Sequence, residues 1–360
     1  MTRTLIFVSH TGEVSGAELV MIQVMTLARD RGSTVILACP NGPLRERVTG
    51  ICEVVELPAL GLRGEGGVRR ILGIATVAKN WRIAGRVVAA RALAENAKVI
   101  VNSLFALPAI RLGRVRGGAT WLIHDTLSNT KQNIVVRIAR PSIRRAVAVS
   151  GPTAIPVRAL GIPTSVARLG VAVPAEAAKI QSPAGRIVGI IGSITPWKGH
   201  TVLLDAVART PDVHLEIGGV PFPGDEPYAE ALQQRSNEPD LLGRVKFLGY
   251  VDSLSTLRNW DLAISASTSP EASPLVVLEA MSVGIAVIGT DHGGTSELLA
   301  GGAGSLVPVD DPTRLAAEIT RLLGDDNARS AFAHAGREKV VDRYDIQKNL
   351  PALLEELVHD

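Results

Sequence analysis

Glu271 and Glu279 stand with seven residues between them in Ser269-Pro270-Glu271-Ala272-Ser273-Pro274-Leu275-Val276-Val277-Leu278-Glu279-Ala280-Met281. Ser273 followed by Pro274 reads as the N-cap and first position of a helix. That helix is predicted to run to about Val283 and to stop at Gly284. Its first amides, on Leu275 and Val276, lack intrahelical partners, and with the helix dipole they form an anion site. Glu271 lies in the loop before it and Glu279 more than a turn inside, beyond the region where an acid helps the dipole. A carboxylate accepts hydrogen bonds only, so it suits the hydroxyls of a ribose or a sugar. Two acids flanking an anion-binding helix start therefore suit a ligand that carries both phosphate and hydroxyls. On residue chemistry alone, an ordinary solvated helix face fits this stretch equally well.

Three further places carry candidate chemistry. Lys198, in Gly192-Ser193-Ile194-Thr195-Pro196-Trp197-Lys198-Gly199, lies between a predicted strand and helix, where a diphosphate could use a compact cation. The stretch is no P-loop, because Trp197 and Gly199 stand where Gly and Ser or Thr are required. Gly12 and Gly16 fall between the first strand and first helix, where glycine lets backbone approach a ligand closely. His124-Asp125 follows the strand Thr120–Ile123; a His there could orient a sugar or shuttle a proton, or be a structural loop His.

The elements that must hold these residues alternate between strand and helix. Predicted strands are Leu5–Ser9, Thr34–Ala38, Val54–Leu57, Val99–Val101, Thr120–Ile123, Ala146–Val149 and Ser165–Arg168 in the first half. In the second half they are Ile187–Ile191, Val213–Ile217, Val245–Leu248, Leu262–Ser265, Ala286–Ile288 and Ser305–Val307. Uncharged, β-branched strands alternating with amphipathic stretches mean parallel sheets covered on both faces. Gly170–Pro183 reads as a linker. The expected fold class is α/β: two Rossmann-like, doubly wound parallel-sheet domains facing a cleft. They span 1–170 and 171–340, and a C-terminal helix at 341–360 packs back on the first. In such folds ligands sit beyond the carboxyl ends of strands.

Composition narrows the function. Of 360 residues only 12 are aromatic, which argues against a stacking platform for single-stranded nucleic acid. No G-x-G-x-x-G follows the first strand, which removes the main support for a dinucleotide oxidoreductase. No G-x-S-x-G elbow, zinc-spaced Cys/His cluster or Asp-x-Asp pair is present in the sequence. Cys39 and Cys52 make no disulfide framework, the N-terminal apolar run is too short for a signal peptide, and no apolar run reaches the ~18 residues of a membrane span. A cytoplasmic protein is expected.

The net charge of +3 hides a split: residues 1–170 carry 23 Lys/Arg against 9 Asp/Glu, and residues 171–360 carry 15 against 26. A basic half suits an anionic partner. The segment Arg63–Glu95 combines Arg69, Arg70, Lys79, Arg82, Arg86 and Arg91 with Ile71, Leu72, Ile74, Val77, Trp81, Ile83 and Val87. Such a basic amphipathic surface could rest on anionic headgroups at the inner membrane face, or pack on the sheet with Arg outward.

Taken with their order along the chain, these residues resemble the family 4 retaining glycosyltransferases, which have the GT-B fold. Glu271 and Glu279 in E-A-S-P-L-V-V-L-E resemble that family's E-x₇-E motif. Ser15-Gly16-Ala17-Glu18 is similar to its G-G-A-E, His124-Asp125 to its His-Asp pair, and Trp197-Lys198-Gly199-His200 to its K-G segment. Arg244–Tyr250 resembles the strand beside the nucleotide base, and Gly293-Gly294 with Glu297 its G-G-x-x-E. The resemblance implies transfer from a nucleotide-diphosphate sugar to a glycan or lipid-linked acceptor, with no metal, cofactor or nucleic acid. Glu279 would hold the ribose hydroxyls and Glu271 the donor sugar. Lys198 would neutralise the diphosphate, helped by the helix start at Ser273-Pro274, the amides of Leu275 and Val276 and the loop at Gly16. Backbone near Val251 would meet the base, and His124 would sit beside sugar and acceptor. Many family members have Arg where this chain has Ser193, which removes a bidentate partner for the diphosphate. A catalytically inactive nucleotide-sugar binder or assembly subunit is the alternative that this departure raises.

Overall fold

The computed structural model describes residues 3–61, 68–177 and 186–359. The chain divides into two compact units, Met1–Leu169 with Lys348–Asp360, and Gly170–Gln347.

The first unit holds one parallel sheet of seven strands: β1 (Thr4–Val8), β2 (Thr34–Cys39), β3 (Glu53–Glu56), β4 (Lys98–Val101), β5 (Ala119–Ile123), β6 (Ile143–Ala148) and β7 (Thr164–Val166). Their order is β3-β2-β1-β4-β5-β6-β7, with Leu5 opposite Val35 on one side and Lys98 on the other. The central strands are buried on both faces, which is why they read as unbroken apolar runs: every residue of β5 is buried, Trp121 among them. Fully burying a Leu, Ile or Val of such a run stabilises the fold by about 2 kcal/mol.

The second unit repeats the plan with six parallel strands: β8 (Ile187–Ile191), β9 (His214–Gly218), β10 (Val245–Gly249), β11 (Leu262–Ser265), β12 (Ala286–Thr290) and β13 (Ser305–Val307). Their order is β10-β9-β8-β11-β12-β13. Buried Trp260 anchors this unit through its indole N–H, which donates to Glu216 Oε2 at 2.7 Å.

In each sheet the order reverses once, between β1 and β4 and between β8 and β11. At such a switch point the two chains leave their strands in opposite directions, and a crevice opens beyond the carboxyl ends.

Gly170–Pro183, expected to be a linker, is tied into the second unit where it is described. The Val171 N–H donates to Tyr344 O at 2.9 Å, and Arg337 donates to Pro174 O at 2.6 Å. Its remainder, 178–183, lies outside the described residues, as do 62–67 and the side chains of 68–74 in the basic segment 63–95. After the helix Asp326–Arg343 comes a last helix, Ile346–Val358. From Lys348 on this helix belongs to the first unit, where it buries Leu353, Leu354 and Leu357 and sets Glu356 against Arg145 at 2.6 Å and Ser165 Oγ at 2.7 Å.

Candidate active site

The carboxyl edge of the second sheet carries the acids and the lysine singled out above. Beyond β8 the chain makes a single 3₁₀ turn, Pro196–Lys198, before the helix His200–Ala208. The turn is closed by Gly199 in the left-handed region (φ 74°), where a Cβ would lie 1.9 Å from Ala266 O. Glycine alone tolerates both demands. The turn is pinned to the chain beyond β11 because the Thr268 N–H donates to Trp197 O at 2.8 Å.

Lys198 and Glu271, which come from the two loops that part at the switch point, meet there. Lys198 Nζ lies 2.6 Å from Glu271 Oε2, with only 17% and 9% of the two side chains exposed. The ammonium also stands 4.4 Å from the Trp197 ring centroid, a cation–π contact. Ser267 Oγ donates to the other oxygen of Glu271. The Glu271 backbone is held in turn by the Gly294 N–H, which donates to Glu271 O at 2.7 Å from the start of the helix Gly293–Leu299. His292 and Thr290 brace Ser267: His292 Nε2 sits 2.7 Å from Ser267 O, and Thr290 Oγ1 donates to that same oxygen at 2.8 Å. A paired ammonium still has N–H groups to offer an anion, and the pairing fixes where they point.

The E-x₇-E helix spans Leu275–Val283 and ends at Gly284, left-handed at φ 78°. Its start differs from expectation. Pro274, not Ser273, is the N-cap, with extended backbone (φ −67°, ψ 113°), and Ser273 Oγ is buried without a hydrogen-bond partner. Proline cannot donate, so its ring closes the end of the helix, while its carbonyl accepts from the Val277 N–H at 3.2 Å. The amides of Leu275 and Val276 therefore precede the first intrahelical bonds, as the anion-site reading requires. Glu279 lies one turn further on. Burial raises its carboxyl above the ordinary value, a hydrogen bond with Ser253 opposes this, and the charge of Asp252 adds to the rise. Asp252 caps the short helix Ser253–Leu257, accepting from the Ser255 N–H at 2.9 Å. Val251, immediately before it, packs against Gly218 at the end of β9. The structure thus brings Glu279 together with the segment at Val251, and Lys198 together with Glu271.

In the first unit the residues gather at the β1/β4 switch point. Ser9 follows β1, Asn102 follows β4 and His124-Asp125 follows β5. His124 Nε2 lies 3.1 Å from Asn102 Oδ1, and Asn102 Nδ2 donates to Ala17 O at 3.3 Å. Because that Oδ1 only accepts, Nε2 carries the hydrogen and Nδ1 is the basic nitrogen. Burial pushes the His124 imidazole down to about 4, so the ring is neutral near pH 7. Burial also raises the Asp125 carboxyl, and the charge of Glu18 adds to that. Glu18 is itself buried and accepts from the Ser15 N–H at 3.2 Å and Ser15 Oγ at 2.5 Å, a capping-box contact. Gly16, expected in a loop, is the first residue of the helix Gly16–Asp30 and is exposed. Ser15 takes the capping position, and this sets Gly16 inside the helix.

Asn102, Ser267, Thr290 and His292 escape sequence reasoning. Asn102 had a usable signal, a polar residue directly after the apolar run Val99-Ile100-Val101. Its value depends on β4 lying beside β1, which no local pattern states.

Two parallel α/β units, each with polar and charged side chains gathered at the switch point of its sheet, define a protein class built to bind ligands at strand ends. Residues 175–339 match the family model described as Glycosyl transferases group 1, so that stretch is a domain of that type. A phosphatidyl-myo-inositol mannosyltransferase of Mycolicibacterium smegmatis is 38% identical over 170 residues, 45% of this chain and 42% of that protein. The lipopolysaccharide core biosynthesis glycosyltransferase LpsE of Rhizobium meliloti is 28% identical over 177 residues, 49% of this chain and 51% of that protein. The match thus spans about half or less of these curated relatives. Among solved structures, Anabaena HepE, crystallised with UDP and glucose, superposes with a TM-score of 0.79 over 99% of each chain at 23% identity. That likeness shows the two-domain fold expected of the GT-B class.

Proposed function

We propose that the chain is a retaining glycosyltransferase that moves a sugar from a nucleotide-diphosphate sugar to a glycan or lipid-linked acceptor, in cell-surface polysaccharide or glycolipid synthesis. The observation that carries this reading is the Lys198–Glu271 pair at the β8/β11 switch point, beside a helix start with free amides and a second acid one turn on. The names of the relatives, a phosphatidylinositol mannosyltransferase and a lipopolysaccharide core enzyme, favour a glycolipid acceptor.

Each residue then has a role. Lys198 and the amides of Leu275 and Val276, behind Ser273 and Pro274, neutralise the diphosphate. Gly16, the first residue of the helix Gly16–Asp30, is the first unit's donor-binding candidate. Glu279 accepts from the ribose hydroxyls, and backbone at Val251 meets the base. Glu271 accepts from hydroxyls of the donor sugar. Nδ1 of His124 serves the sugar and acceptor. Attack comes from the face the diphosphate leaves, and a phosphate oxygen takes the acceptor proton. The protein contributes position and charge stabilisation rather than a covalent nucleophile or a metal. The setting is the cytoplasm, at the inner membrane face. Among the described residues no helix is long and apolar enough to cross a membrane.

The test is donor turnover with a glycolipid acceptor, with the anomer of the product read by NMR. An α-linked product from an α-linked donor is expected; an inverted anomer overturns retention. Transfer that stops when a chelator is added overturns the metal-free mechanism. Ser193, in place of the family's usual Arg, favours one competing reading, an inactive nucleotide-sugar binder. Release of nucleotide diphosphate in a single turnover separates the two.

A further inference from the structure

Arg82, Arg86, Arg111 and Arg114, all exposed, line one open surface pocket of about 660 Å³, together with Leu112, Gly113 and Ile138. Backbone contact between two helices draws the arginines together. A Cβ on Gly85 would lie 2.0 Å from Ala109 O, and one on Gly113 would lie 2.1 Å from Gly85 O. With glycine at both positions, the helices Val68–Ala94 and Leu107–Gly113 touch main chain to main chain. Arg82 and Arg86, one turn apart on the first helix, then face Arg111 and Arg114 at the end of the second.

Four like charges around one space repel, and none of them has an ion-pair partner among the described residues. The carboxyl end of the helix Leu107–Gly113 partly offsets Arg111 and Arg114 through its dipole, but Arg82 and Arg86 lie within a helix and have no such offset. Arg114 also occupies a left-handed position (φ 54°), where an L side chain costs about 1 kcal/mol and Gly is the usual residue.

The cavity is separate from the candidate active site. Arg114 precedes β5 and His124 follows it, so about 16 Å of strand divides the two. We propose that this cavity is a second anion site, which takes a phosphate-bearing group, a phosphomonoester or a diphosphate, through bidentate arginine contacts. The aliphatic side chains of Leu112 and Ile138 at the site, 36% and 56% exposed, suit a phosphate carried on a lipid headgroup; a free phosphate offers the same chemistry to the arginines. The site stands whether or not the chain transfers sugar.

The test compares the wild type with Arg86→Ser/Arg111→Ser and with Arg86→Lys/Arg111→Lys. Binding of inorganic pyrophosphate is read by calorimetry. Sedimentation is read with vesicles of equimolar phosphatidylglycerol and phosphatidylcholine, against phosphatidylcholine alone. The serine variant is expected to lose about tenfold or more in binding to one of these anions, and the lysine variant less, because it keeps charge but not the guanidinium fork. Loss on anionic vesicles alone assigns a lipid headgroup; loss for pyrophosphate assigns a free phosphate. Comparison with the serine variant isolates this cavity from any pyrophosphate held at Lys198. Binding equal in all three proteins, or wild-type binding to neither anion, overturns the proposal. Circular dichroism melting checks that the variants fold.

Discussion

The two switch points follow one backbone plan and hold opposite electrostatics. At β8/β11 a lysine and a glutamate pair at 2.6 Å beside a helix start, and the ammonium keeps N–H groups to spare. At β1/β4 burial, with the charge of Glu18 adding to it, raises the Asp125 carboxyl next to a neutral His124. A paired cation with amides to spare suits an incoming phosphate. Acids beside a neutral imidazole suit hydroxyls and the handling of a proton. Similar topology thus supports two different chemistries, and the difference lies in which side chains follow the strands.

Breaking the pair should have the largest effect. Lys198→Ala is expected to abolish donor turnover and, by leaving the largely buried Glu271 carboxylate without its cation, to cost about 3 kcal/mol of stability. Near-normal rates in the folded variant remove Lys198 from the site. His124→Ala is expected to lower kcat about 100-fold, with nucleotide affinity unchanged in calorimetry; an equal loss of affinity would move His124 to the donor side of the comparison. Glu279→Ala is expected to weaken nucleotide binding about tenfold, because a charged hydrogen-bond acceptor is lost. Unchanged binding would contradict its ribose role. Ser193→Arg sharpens the contrast from the other side, since a guanidinium at the β8 edge should tighten diphosphate binding a few-fold. No gain would mean that Lys198 and the helix amides already suffice.

A further expected effect, on stability rather than turnover, is a shared response to pH. Burial pushes His10 and His124 in the first unit, and His200 in the second, down to about 4. An unfolded chain takes these protons near pH 6.5, so the folded state gains stability above that value and loses it progressively as pH falls toward 4. The melting temperature should therefore drop between pH 6.5 and 4. Replacing His200 with Asn should flatten part of that slope; a flat profile in the wild type would mean the rings protonate freely.

Much of the architecture was legible along the chain. The apolar runs mark the central strands to within a few residues, because a strand buried on both faces leaves no room for charge; the edge strands β3 and β10 are only partly buried and carry Glu53, Glu56 and Lys246. The helix stop at Gly284 was legible for an equally local reason, the left-handed backbone that ends it. Ser-Pro is a common helix start that points to Ser273 as the cap, and only the backbone angles at Pro274 show where this helix begins.

What the residues determined unaided is therefore local: which segments are strands, where helices start and stop within a residue or two, and which acids stand with seven residues between them. Tertiary structure decided the rest. Sheet order set β8 beside β11 and β1 beside β4, and so gave Glu271 its lysine and His124 its asparagine. A glycine-to-glycine crossing gathered four arginines from two helices around one cavity. The physical reason is that each of these contacts joins residues at least 20 positions apart, and the strength of an ion pair or a hydrogen bond depends on separation in space, which backbone preferences do not encode.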